Sequence, residues 1–89
     1  MSNVPNLDAM ELAELMAFAK TYCMTQEYKK LFPNGALSMR KHVAGQLACY
    51  ADWKASAILE RQAGNIIAAQ SYEAQCETIY KKLPAWAKW

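Results

Sequence analysis

After the Phe32-Pro33-Asn34-Gly35 turn the chain has no proline until Pro84, and the next strong punctuation is the dipeptide Gly64-Asn65. Glycine suits the left-handed position just past a helix end, and asparagine can cap a helix that begins at once. The run before this dipeptide starts near Ser38, a helix-capping residue type, and extends to Ala63. It carries Val43, Leu47, Tyr50, Ala51, Ala57 and Ile58 on one side, with Ala44, Ala48, Ala55 and Leu59 widening the apolar face. Such width suits a middle helix touching two partners. The run after it places Ala69, Tyr72, Cys76, Ile79, Tyr80 and Leu83 on one stripe and stops at Pro84. Two long helices joined by about two residues must lie antiparallel.

A third helix precedes them. Asp8-Ala9-Met10-Glu11 has the form of a capping box, and Leu7 and Leu12 stand where a hydrophobic staple would close over it, so the spacing predicts a helix from Asp8. Leu12, Leu15, Met16, Ala19, Tyr22 and Cys23 recur at three-and-four spacing. The pattern softens at Thr25, where the helix can kink, and ends by Phe32, because Pro33 disfavours helical geometry there. The tail Ala85-Trp86-Ala87-Lys88-Trp89 is too aromatic for a solvated end, and Trp86 is expected to pack on the bundle. The whole, residues 1–89, is expected to be one all-α domain, an up-down-up three-helix bundle.

Composition agrees with one ordered core: 54% of residues are hydrophobic and 20% charged, with three Gly and three Pro. No apolar run approaches the roughly 20 residues needed to cross a bilayer, and the N-terminal stretch lacks the basic start of a secretory signal. A cytoplasmic protein with no membrane partner is expected. The odd set Cys23, Cys49 and Cys76 is a poor disulfide framework. The three thiols fall one per helix at similar height, but without a short CxxC or HxxxH pair they are expected to be buried small hydrophobes rather than metal ligands. No nucleophile stands beside a base, and no glycine-rich phosphate loop or carboxylate cluster occurs, so neither catalysis nor a cofactor is expected.

Two charged features stand out. Lys54 falls near the centre of the second helix's apolar stripe, where an enclosed ammonium needs a partner. Counting back from Gly64 sets it level with Glu73 or Ala74, so a structural ion pair from Lys54 to Glu73 is expected. The other feature is a basic pole. The topology gathers Lys29, Lys30, Arg40, Lys41, Lys81, Lys82 and Lys88 at one end, with His42 beside them, and so collects seven of the ten Lys and Arg residues there. Lysines at helix C-termini suit the helix dipole, whereas Arg40-Lys41 at a helix start oppose it. The pole is either a solvated end or a site for an acidic partner, whether protein, phosphate or nucleic acid. Tyr28, Phe32, Trp86 and Trp89 lie near enough to stack bases, though aromatics at helical spacing are more often core.

Trp53, Ala57, Gly64, Ala69 and Cys76 resemble the spacing of a single tetratricopeptide-type hairpin. Ser56, Glu60 and Glu73 stand where that repeat prefers large apolar residues, and one copy makes no solenoid, so only hairpin geometry is implied. A broader resemblance rests on Asn6-Leu7-Asp8 with Glu14-Leu15-Met16, on Tyr28-x-x-Leu31-Phe32-Pro33-x-Gly35, and on Tyr50-Ala51-x-x-Lys54-Ala55-x-Ala57. It continues through Tyr72-Glu73-x-x-Cys76, Ile79-Tyr80 and Leu83-Pro84 to Trp89. These pieces resemble small uncharacterised helical proteins of bacteriophage and marine metagenomic genomes, which implies an origin and no chemistry. The expected function is that of a non-catalytic, phage-related interaction protein that binds a protein partner. A self-associating homodimer, suggested by three Trp, five Met and five Tyr in so small a bundle, is the alternative, and a nucleic-acid accessory protein is a further one.

Overall fold

The computed structural model describes residues 5–24 and 40–89, and for residues 21–24 and 40 the backbone alone. Its described residues form α1 (Leu12–Met24), α2 (Arg40–Gln62) and α3 (Ile66–Lys82), flanked by short 3-10 turns at Leu7–Ala9 and Ala85–Ala87, and no strand. Both α1 and α3 pack against α2, the middle helix. The all-α bundle is therefore as expected. The kink near Thr25, the helix end at Phe32, the Pro33 turn and the Ser38 cap lie outside the described residues. No helix among the described residues is long and apolar enough to cross a membrane.

The first helix starts later than the capping-box reading places it. Asn6 Oδ1 accepts from the Asp8 backbone N–H at 3.0 Å and so caps a tight 3-10 turn, which Met10 ends in an extended conformation. Glu11 then stands just before α1, and its N–H donates to Glu14 Oε1 at 3.2 Å. That is the reach-back half of a capping box, moved one turn along the chain. The displacement leaves the Asp8 side chain with no capping duty. Leu7, beside it, is wholly buried.

The buried face of α1 is also rotated from its expected centre. Leu15 and Phe18 are buried, Leu12 and Ala19 pack against the core, and Met16 is 54% exposed. Turning Phe18 inward in place of Met16 removes a large rigid ring from water. On α2, Val43, Ala44, Leu47, Ala48, Tyr50, Ala51, Ala55 and Ala57 are all buried, and the many alanines let both neighbouring helices come close. Leu59, near the far end of α2, is exposed. From α3 the core takes Ala69 and Cys76, and from the segment that follows it takes Leu83 and Ala87. Trp86 and Trp89 pack against this core, so the aromatic tail is part of the fold.

The hairpin turn sits where the sequence puts it. Gly64 has φ +87°, its N–H donates to Arg61 O at 3.1 Å, and the Asn65 N–H donates to Glu60 O at 2.8 Å. This paired closure is a Schellman motif, which satisfies carbonyls that the helix end would otherwise leave open. Asn65 departs from its expected role. It occupies the cap position of α3, but its side chain makes no cap bond and donates to Glu60 Oε2 at 2.8 Å. At the other end Leu83, the residue before Pro84, adopts the extended conformation that proline imposes on its predecessor, and α3 stops.

Candidate functional site

Asp8 is the most connected polar side chain among the described residues. Its Oδ1 accepts the Tyr50 hydroxyl at 2.5 Å and pairs with Lys54 Nζ at 3.0 Å, and its Oδ2 accepts the Trp89 indole N–H at 3.1 Å. Tyr50 and Lys54 are one turn apart on α2 and so project from the same face. Trp89 is fixed in turn by edge-on contacts with Tyr50 and Tyr80, at 4.9 and 4.7 Å between ring centres, and by the Tyr80 hydroxyl donating to its carbonyl at 3.0 Å. One carboxylate thereby joins the N-terminal turn, α2 and the C-terminal segment.

This arrangement corrects the expected Lys54 to Glu73 pair. Both residues line one cleft, of about 460 Å³, together with Asp8, Tyr50, Gln70, Ala74, Cys76 and Glu77. Within it Lys54 takes Asp8, and Glu73 takes the Arg61 guanidinium at 2.5 Å. Asp8 comes from a short turn already held against α2. Glu73 has a cation near the hairpin turn that reaches it from the exposed side, with both side chains 46% exposed. The competing acid comes from the 3-10 turn, where the sequence predicts a helix start, and so lies outside the pairing that counting between α2 and α3 considers. Asp8, Tyr50 and Trp89 carried a weak signal in advance: a charge-bearing stripe on α2 and an aromatic tail with polar tips.

The electrostatics match a structural junction. Burial raises the Asp8 pKa, but hydrogen bonds from Tyr50, Lys54 and Trp89 and the Lys54 charge together outweigh it and hold the carboxyl below the usual aspartate value. Tyr50 is pushed far above the ordinary phenol value by burial and by donating to Asp8, so it stays protonated. Burial likewise pushes the Cys76 thiol up to about 11, and its Sγ lies 3.6 Å from the Tyr50 carbonyl. Tyr50, Lys54 and Trp89 all direct their donors at Asp8, so one carboxylate gathers three side chains.

The basic end divides into described and undescribed parts. Lys29 and Lys30 lie outside the described residues, and Arg40 is placed only as the first residue of α2. Lys41, His42, Lys81, Lys82 and Lys88 are exposed. The antiparallel hairpin brings the first turn of α2 and the last turn of α3, which holds Lys81 and Lys82, to the same end. Lys88 Nζ stands 5.2 Å from the centre of the Tyr80 ring, a cation–π contact. Among the described residues the ion pairs are Lys54–Asp8 and Arg61–Glu73, and no carboxylate pairs with Lys41, Lys81 or Lys82. Beside this end an open groove of about 780 Å³ is lined by Lys41, His42, Gly45, Gln46, Cys49, Trp53 and Ile79. Cys49 is exposed there, contrary to the expectation of three buried thiols, while Cys76 is buried. Among the described residues no three His, Cys, Asp or Glu side chains stand together as a metal site.

Comparison with family models, curated proteins and solved structures gives no match.

Proposed function

We propose that this chain is a small non-catalytic interaction protein, phage-related by its resemblance, which binds an acidic surface of a protein partner through its basic end. The observation that carries the reading is the set of exposed lysines Lys41, Lys81 and Lys82, which have no carboxylate partner among the described residues, where α2 begins and α3 ends. Like charges gathered on one end repel one another, and an acidic partner relieves that repulsion while steering its own encounter. Affinity capture from host extract with the intact protein and with Lys41→Glu/Lys82→Glu tests it. Loss of the captured protein with an unchanged melting temperature is expected, and undiminished capture overturns the reading. A captured nucleic acid whose affinity falls steeply with salt assigns the end to phosphate instead.

A second reading has its own observation. Ile67 is 86% exposed and Ile66 44%, and Leu59 is 47% exposed at the end of α2 nearest the same turn. An apolar knuckle of this kind suits self-association. Light scattering over a range of concentrations decides it, because a mass fixed at that of the monomer removes the homodimer.

A further inference from the structure

Gly45 lies in the interior of α2, where a glycine costs roughly 1 kcal/mol relative to alanine. Its φ is not positive, and no atom of the described residues lies within 4 Å of the place a Cβ would take. Neither backbone geometry nor crowding within the described fold accounts for it. The missing side chain instead opens the floor of the groove beside the basic end. Gly45 and Gln46 stand three and four residues after His42, Cys49 three after Gln46 and Trp53 four after Cys49, which makes one helical strip about 16 Å long, or about three turns. Ile79 of α3 forms the facing wall. The Trp53 ring is stacked on Tyr72 at 5.2 Å, so the end of the groove nearer the hairpin turn is a rigid aromatic plate. Lys41 lines the opposite end, and Lys82, three residues beyond Ile79 on α3, shares the latter's face.

From this geometry we infer that the groove between α2 and α3 is a docking site for an acidic amphipathic helix of a protein partner. The inference rests on the basic-end reading and specifies its occupant. A helix presents apolar side chains at intervals of three and four, and a strip three turns long accepts them against Trp53 and Ile79. The absent side chain at Gly45 lets the incoming backbone come close. Glutamates or aspartates flanking the apolar stripe then reach Lys41 and Lys82, which have no carboxylate of their own among the described residues.

The test uses the intact protein and a synthetic helical peptide of about 15 residues, with leucines at helical spacing and glutamates on both flanks. Amide and indole chemical shifts are followed by NMR. Saturable shifts at Gly45, Cys49, Trp53 and Ile79 are expected, with at least about tenfold weaker binding for the same peptide carrying lysines in place of glutamates. Gly45→Phe, which fills the floor, and Gln46→Glu, which adds a repelling charge within the groove, should each lose the shifts without lowering the melting temperature. No shifts, equal binding of the lysine peptide, or shifts confined to other faces overturns the proposal. Groove shifts that appear on raising the protein concentration alone assign the surface to a second copy and overturn it as well. Failure here is distinguishable from failure of the basic-end reading. If capture from host extract is lost in Lys41→Glu/Lys82→Glu but survives Gly45→Phe and Gln46→Glu, the basic end binds and the groove does not.

Discussion

Asp8 accepts from three donors that lie 42, 46 and 81 positions along the chain, and its chemistry decides how the ends of the molecule are held. The carboxylate side chain is 52% exposed, so its ion pair with Lys54 contributes less than about 1 kcal/mol. More comes from the part-buried Tyr50 hydroxyl, whose bond to a charged acceptor is of the stronger kind, about 1.5–3 kcal/mol. Asp8→Asn is therefore expected to lower stability by about 1–3 kcal/mol at neutral pH. Because the folded carboxyl titrates below its usual value, this contribution is complete above the unfolded value of about 4 and is lost as pH falls through the lower folded value. Denaturant melts at about pH 7 and about pH 3 should show the cost of Asp8→Asn shrinking at the acid end. An equal cost at both refutes the assignment. The thiols make a second test at this scale. Cys49 is exposed and Cys76 buried with a raised pKa, so alkylation of the native protein, mapped by peptide mass, should mark Cys49 well before Cys76.

Two glycines, Gly64 in the hairpin turn and Gly45 in the interior of α2, distinguish turn chemistry from surface shape. Gly64 holds φ +87° in the Schellman closure, a conformation that costs an L-residue roughly 1–2 kcal/mol. Gly45 has helical geometry and no described atom within 4 Å of a Cβ position, so a methyl group there returns about 0.5–1 kcal/mol. Thermal melts should accordingly fall for Gly64→Ala and rise for Gly45→Ala, and two shifts of the same sign would contradict this account. The same contrast shows what was legible in the sequence. Periodicity and punctuation placed α2, α3 and the turn between them, because their causes are local: apolar spacing, a left-handed glycine and the constraint Pro84 sets on Leu83. Asp8 and Glu11 fit a capping box one turn before α1 begins, but Asn6 takes the Asp8 N–H and Glu14 takes the Glu11 N–H instead. Local rules do not rank two such caps. Burial of Leu7 and the pull of α2 on Asp8 do.

At the scale of the whole molecule the long axis is 41 Å and the others are 23 and 19 Å, an elongated bundle little longer than α2 itself. A shape this slender has a thin core, and the aromatic tail thickens it: Trp89 lies against Tyr50 and Tyr80 and donates to Asp8. Trp89→Ala should cost about 2–4 kcal/mol. It should also raise hydrogen exchange in both the Leu7–Ala9 turn and the Ala85–Ala87 turn, although 75 residues separate them. Increased exchange at the C-terminal turn alone would mean that the junction does not couple the ends. Periodicity by itself determined that three antiparallel helices would form, which of them stands in the middle, and that basic residues collect where α2 begins and α3 ends. Those are consequences of spacing and of a reversal within two residues. The tertiary structure decided which carboxylate meets Lys54, which thiol faces solvent and where a groove opens, because each depends on how three helices rotate about their own axes. Rotation is set by competition for a shared core, where Phe18 displaces Met16 and a turn four residues before α1 supplies the acid. No spacing rule along a single helix contains that competition.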